Sequence, residues 1–138
     1  MNVVARILAA WIAFAFVTCA FATPVEDGTK AGNAFLALAD AQRYGETWDE
    51  ASEFFKRSVS RESWITQMKE FREPLGAVAA RVLSEAKLES DPKGAPPGQY
   101  LLMTYETRFA KGTLVKTETL PFFLGADGRW RAVGYFIR

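Results

Sequence analysis

Apolar residues recur at two different spacings along this chain, and the change of spacing falls at one short stretch. Up to about residue 71 they return every three or four positions, the period of a helix; from residue 77 they return every second position, the period of a strand. Between the two lie Arg72-Glu73-Pro74-Leu75-Gly76. Pro74 has no amide hydrogen and pushes Glu73 toward extended backbone, so the helix before it is predicted to stop there. Gly76 lets the chain turn sharply into the first strand. Helices followed by strands predict an α+β fold, with three N-terminal helices packed on a curved, four-stranded antiparallel sheet.

After a polar lead-in over 23–29, the first helix is predicted over 30–44. Ala31, Ala34, Phe35, Leu38 and Ala41 share one face, and Gly45 has the place of a C-terminal cap. The second helix is predicted to start at Thr47, which stands at capping-box spacing from Glu50. Trp48, Ala51 and Phe55 line its inner face, with Phe54 beside them, and it ends near Lys56 or Arg57. Ser60 caps the third helix. Val59 and Trp64 flank that cap at the spacing of a hydrophobic staple, and Trp64, Ile65, Met68 and Phe71 form its buried stripe. Core packing is the default role for Trp48 and Trp64, with contact to a ligand as the alternative.

A strand is predicted over 77–89, with Val78, Ala80, Val82 and Leu88 in one alternation, although its residues also suit a helix. The segment 91–98 holds three prolines and two glycines and reads as a loop. Strands are predicted over 99–109, 113–124 and 129–137, joined by turns at Lys111-Gly112 and Ala126-Asp127-Gly128.

Turn geometry sets register. A two-residue turn at Lys111-Gly112 places Tyr105 opposite Glu118, Met103 opposite Leu120 and Leu101 opposite Phe122. Leu101, Met103, Tyr105 and Phe109 form an apolar face toward the helices, so Glu118 points inward. An even-numbered loop before the last strand puts Arg131, Val133, Tyr135 and Ile137 on the same face. Tyr105, Glu118, Arg131 and Tyr135 then gather inside, and Arg81 joins them if the odd-numbered face of its strand turns in. A carboxylate removed from water needs partners. The group is either a structural ion pair or the polar lining of a pocket that orients a bound molecule. One bulge would reverse the parity and dissolve it. Trp130 and Phe136 fall on the outer face, where exposed rings would mark an interaction patch.

Composition narrows the chemistry. With 138 residues, 49% of them hydrophobic and 14% aromatic, the chain is long and apolar enough for one folded domain. Arg6, the apolar run 7–17 and Ala20-Phe21-Ala22 form the three parts of a secretory signal peptide, predicted over 1–22 ahead of a domain over 23–138. The run is short for a membrane span; an uncleaved anchor is the alternative. Thr18 and Phe16 fit poorly with lipid attachment at Cys19. Since Cys19 is the only cysteine and there is no histidine, the cleaved chain would lack both, which excludes disulfides, thiol nucleophiles, histidine bases and His/Cys metal sites. Its acidic residues lack metal-loop spacing, and no metal or cofactor is expected. Removing Arg6 from the overall charge of +1 leaves a balanced chain, with no basic stripe for nucleic acid and no polybasic membrane anchor.

These stretches together resemble a bacterial family known as domain of unknown function 4019. The resemblance rests on Trp48, Ala51, Phe55 and Trp64, on Arg72-Glu73-Pro74-Leu75-Gly76 and Arg81, and on 105–109, Glu118 and the ending 130–137. It implies an exported protein and assigns no activity or site residue. Helices ahead of a curved sheet also look like the nuclear-transport-factor-2-like or cystatin-like cone, an analogy of fold that fixes no function. The resulting expectation is a periplasmic or secreted, non-catalytic binding or accessory protein with a small apolar or aromatic pocket. Tyr105, Glu118, Arg131, Tyr135, Arg81 and Trp64 are its ligand-binding candidates. One alternative is an enzyme using Glu118 as general acid or base. The other is an interaction or oligomerisation module built on Trp130 and Phe136, a homodimer among its forms.

Overall fold

Thr23 sets where the first helix begins. Its hydroxyl accepts from the Glu26 amide at 3.2 Å, and its own amide donates to the Glu26 carboxylate at 2.7 Å. This closed capping box, with Pro24 in the first turn, starts a helix earlier than residue 30. In the computed structural model, which describes residues 21–138, α1 spans Pro24–Asp40. All but the last two residues of the expected leader lie outside the described residues. The helix also ends before residue 44. Gln42 takes a left-handed φ of 60°, and the amides of Gln42 and Arg43 close back on the carbonyls of Ala39 and Leu38 at 3.0 and 2.9 Å. That is a Schellman ending with glutamine where glycine is usual.

The second expected helix is two short ones, α2 (Tyr44–Asp49) and α3 (Glu53–Ser58). Gly45 lies inside α2 and does not cap α1, and Thr47 is buried within α2 and does not cap it. The break falls at Ser52. Its hydroxyl accepts from the Phe55 amide at 3.3 Å, while its amide donates to the Ala132 carbonyl at 2.9 Å. A tertiary bond thus draws the chain out of helical geometry. Helix α4 (Arg61–Arg72) starts at Ser60, which accepts from the Ser63 amide at 3.2 Å. It ends where the proline dictates, passing through a 3-10 turn, Glu73–Leu75, to Gly76 at φ 76°. The described residues therefore hold four α-helices where three were expected.

The strands β1 (Val78–Ser90), β2 (Gln99–Phe109), β3 (Val115–Leu124), β4 (Trp130–Ala132) and β5 (Phe136–Ile137) form one antiparallel sheet in the order β1-β2-β3-β4, with β5 also on β3. The last expected strand is split in two, so the described residues hold five strands where four were expected. Register shifts around Ala79 and Ser84 in β1 mark bulges, so Val82 and Leu88 do not share a face. Val82 faces out, opposite Glu106.

The β2–β3 register is the one the turn predicts: Tyr105 opposite Glu118, Met103 opposite Leu120, Leu101 opposite Phe122. The turn itself is wider. The Gly112 amide closes on the Phe109 carbonyl at 3.3 Å, and Thr113 and Leu114 leave the ladder without changing its parity.

Helix α1 lies directly on the inner face of the sheet. Gly28 and Gly32, one turn apart, permit this: a Cβ at Gly28 would run into Leu101 Cδ2, and one at Gly32 would lie 2.6 Å from Met103 Cε. Phe35, Leu36 and Ala39 continue that face into a core shared with Leu101, Met103, Leu120, Phe122, Trp64 and Met68. Fully burying each large apolar side chain stabilises the fold by about 1.5–3 kcal/mol. No helix among the described residues is long and apolar enough to cross a membrane.

Candidate functional site

Strand β3 carries Glu118 on the face that alternation assigns to the core, and its side chain is 0% exposed. Four donors compensate for the lost water. The Arg81 guanidinium approaches edge-on, with Nε 2.6 Å from Oε2 and Nη2 3.1 Å from Oε1. The Thr107 hydroxyl donates to Oε2 and the Tyr135 hydroxyl to Oε1. Each carboxylate oxygen thus receives two hydrogen bonds, and the forked pairing with arginine is the strong geometry for a buried acid.

The network continues to the helix ends. Arg81 Nη1 and Nη2 lie 2.7 and 2.9 Å from the carboxylate of Asp40, the last residue of α1. Asp40 also accepts from Arg72 Nη2 at 2.7 Å. Arg72 closes α4, is 4% exposed, and lays its guanidinium over the Phe109 ring at 4.8 Å. Two cations and two anions alternate, so the cluster carries no net charge. It ties α1, α4, β1 and β3 to one point. Burial opposes the charge on Arg81, but its hydrogen bonds to Asp40 and Glu118 carry its pKa further up. Burial, with the Glu118 charge and hydrogen bond, pushes the Tyr135 hydroxyl well above the usual phenol range.

Of the sequence-predicted residues, Glu118, Arg81 and Tyr135 meet. Tyr105 lies opposite Glu118, but its hydroxyl donates past it to Asn33 Oδ1 on α1, at 3.0 Å. Its pKa is raised by burial, partly countered by Arg81. Trp64 is a core residue whose indole N–H donates to Thr47 Oγ1 at 2.8 Å.

Arg131 does not join the cluster, contrary to expectation. Leu124 pairs with Trp130, and the Gly125 amide bonds the Arg129 carbonyl at 2.9 Å, which leaves an odd, three-residue loop, 126–128. Gly128 supplies the left-handed residue at φ 77° that closes such a loop. The parity of β4 is therefore reversed. Trp130 and Ala132 turn inward, and Arg131 pairs with Asp127 at 2.6 and 2.8 Å. That pairing, with a bond from the Arg129 amide, holds the Asp127 carboxyl well below its usual range. One extra residue between β4 and β5 then restores the original parity, so Tyr135 and Ile137 face Glu118 and Phe136 faces out, 53% exposed. The expected outer patch loses Trp130 and keeps Phe136.

Thr107, Asp40 and Arg72 were not anticipated. Thr107 could have been found, since it shares the odd-numbered face of Tyr105 and Phe109. Asp40 and Arg72 read as ordinary charged residues near helix ends, and nothing local marks them as partners 32 residues apart in the chain.

Trp130 turned inward helps form a second feature. A groove of about 880 Å³ runs between α1, α2 and the β3–β4 turn. Ala31, Ala34, Leu38, Phe122 and Trp130 make its apolar floor and walls. The rim carries Arg43 paired with Glu46 at 2.5 Å, Arg129 paired with Glu50 at 3.4 Å, and Asp27 and Lys30. None of the residues bonded to Glu118 lines it.

The sequence model of a family described as "Protein of unknown function (DUF4019)" matches residues 31–135. The match takes in α1 from Ala31 onward, the whole of the Glu118 network and most of the groove. No curated protein matches the chain.

Proposed function

We propose, for a chain that belongs to the family described as "Protein of unknown function (DUF4019)", that the molecule is an exported, non-catalytic binding domain whose ligand sits in the groove between α1, α2 and the β3–β4 turn. The observation that carries this reading is the groove itself. It is concave, floored by alanine, leucine and aromatic carbon, and has the size of a small-molecule site. Its charged rim is largely self-paired, which suits an apolar molecule with at most one polar end, met by Lys30 or Asp27. Export and a periplasmic or secreted location rest on the leader over 1–22. The layering of helices before the sheet is compatible with the cone of the nuclear-transport-factor-2-like folds.

What weighs against the enzyme alternative is reach. A general acid or base must come within hydrogen-bond distance of its substrate, directly or through one water. Glu118 is sealed, and both its oxygens are already doubly bonded. The Glu118 cluster is better read as the structural pair that holds the groove-bearing helix in place.

The test uses 1-anilinonaphthalene-8-sulfonate, a dye that brightens on apolar surfaces. The native protein should bind it saturably. Ala34→Trp, which places an indole in the groove from an exposed position, should abolish that binding while far-ultraviolet circular dichroism and the thermal unfolding midpoint stay native. Equal dye binding by native protein and Ala34→Trp would sink the assignment of the groove.

A further inference from the structure

Strand β1 is thirteen residues long and lies at the edge of the sheet, bonded to β2 on one side. On its other side no backbone partner exists among the described residues. An open edge of that length is a template for another strand. Its two halves are built differently. The first half has bulges at Ala79 and Ser84 and turns the charged Arg81 inward, devices that keep strangers from pairing. The second half, from Glu85 to Ser90, pairs with β2 without a break, has the length of an ordinary strand, and has neither a bulge nor an inward charge, since Glu85, Lys87 and Glu89 all fall on the face away from Leu88. Leu88 sits here, on the inner face opposite Leu101, yet it is 41% exposed, with the edge left uncovered by the described residues.

We infer that this half-strand pairs with the same half-strand of a second copy, antiparallel and about a two-fold axis at Leu88, so that two sheets become one. The side chains choose both the partner and the register. In an antiparallel pair, opposite residues share a face, so the axis must pass through a residue and not between two. Centring on Lys87 or Glu89 sets like charges against each other, which is destabilising. Centring on Ala86 sets Leu88 against the bulged Ser84. Centring on Leu88 pairs Leu88 with its own copy on the apolar face. On the outer face it sets Lys87 opposite Glu89 of the second copy, twice. Lys87 and Glu89 already form an ion pair within each strand, 2.8 Å apart, so the interface closes a square of alternating charges. Pairing ends where the chain itself leaves the ladder, at Asp91 with φ 49°. The groove lies at the opposite edge, beside β4, and stays open in such a dimer.

Charge reversal tests the inference. Sedimentation equilibrium of the full chain should give a dimer. Lys87→Glu alone, which faces Glu89 of the other copy, should raise the dissociation constant at least tenfold. Lys87→Glu combined with Glu89→Lys should restore it. Both positions lie on the outer face away from the core, so circular dichroism should be native in all three proteins. With Cys19→Ser as background, Leu88→Cys should form an intermolecular disulfide under mild oxidation, because residues facing each other across a strand pair lie within disulfide reach. Ala86→Cys should not, because it meets Ser90. A monomer at all concentrations, a double variant as weak as the single one, or cross-linking at Ala86 in place of Leu88 would each overturn the inference.

Discussion

Replacing Glu118 by glutamine keeps the shape of the side chain and removes its charge. Arg81 would then be left with Asp40, which it shares with Arg72, in a place where the Arg81 side chain is only 14% exposed. Removing one member of a buried ion pair costs about 3–5 kcal/mol. The remaining carboxylate of Asp40 argues for the lower part of that range. The new amide works the other way, since its NH₂ would face Arg81 or a hydroxyl that now donates, and an unmet buried donor costs about 1–3 kcal/mol. A loss of about 4 kcal/mol is therefore expected, a large share of the roughly 5–15 kcal/mol that holds a domain together. Urea unfolding followed by tryptophan emission measures it directly. A double-mutant cycle with Arg81→Gln should show strong coupling, the pair losing less than the sum of the single changes. A Glu118→Gln protein within 1 kcal/mol of native stability would refute the reasoning.

Other outcomes follow from the same geometry. Gly28→Ala should destabilise by about 1–3 kcal/mol through overpacking against Leu101, despite the better helix propensity of alanine, and thermal unfolding will show it. Thr47→Val removes the oxygen that accepts from the Trp64 indole and should cost about 1–3 kcal/mol, with a shift in tryptophan emission. The raised pKa of Tyr135 makes stability depend on pH on the alkaline side. Below about pH 10 the tyrosine is protonated in both states and its contribution is complete. Above that the unfolded chain loses the proton and the folded one keeps it, so stability should fall by up to about 1.4 kcal/mol per pH unit. Tyr135→Phe should flatten that slope in denaturation curves taken from pH 9 to 11.5. Phe136→Ser should leave stability within about 0.5 kcal/mol, because the ring is exposed.

How much was legible depended on how far apart in the chain the deciding groups lie. The stop at Pro74, the cap at Ser60, the antiparallel β2–β3 pair and the inward turn of Glu118 follow from neighbours within a turn or a hairpin. A backbone with period two and a short connection leaves few other registers, so the alternation of Leu101, Met103 and Tyr105 carried across to Glu118 without any knowledge of the rest. The count broke down where one residue changes parity. The three-residue loop at 126–128 moved Arg131 out and Trp130 in, and the irregularity before β5 moved Tyr135 back, because in a strand each single insertion exchanges the two faces.

The amino-acid sequence by itself determined that helices precede an antiparallel sheet, the family and the presence of one carboxylate inside a domain. Tertiary structure alone decided what that carboxylate does. Asp40 and Arg72, on the ends of two helices, join it through Arg81, and their approach depends on Gly28 and Gly32 letting α1 settle on the sheet and on Ser52 giving its amide to Ala132. Close packing sets those positions, and close packing is a property of all the surfaces together, whereas hydrogen-bonded periodicity is a property of each segment alone.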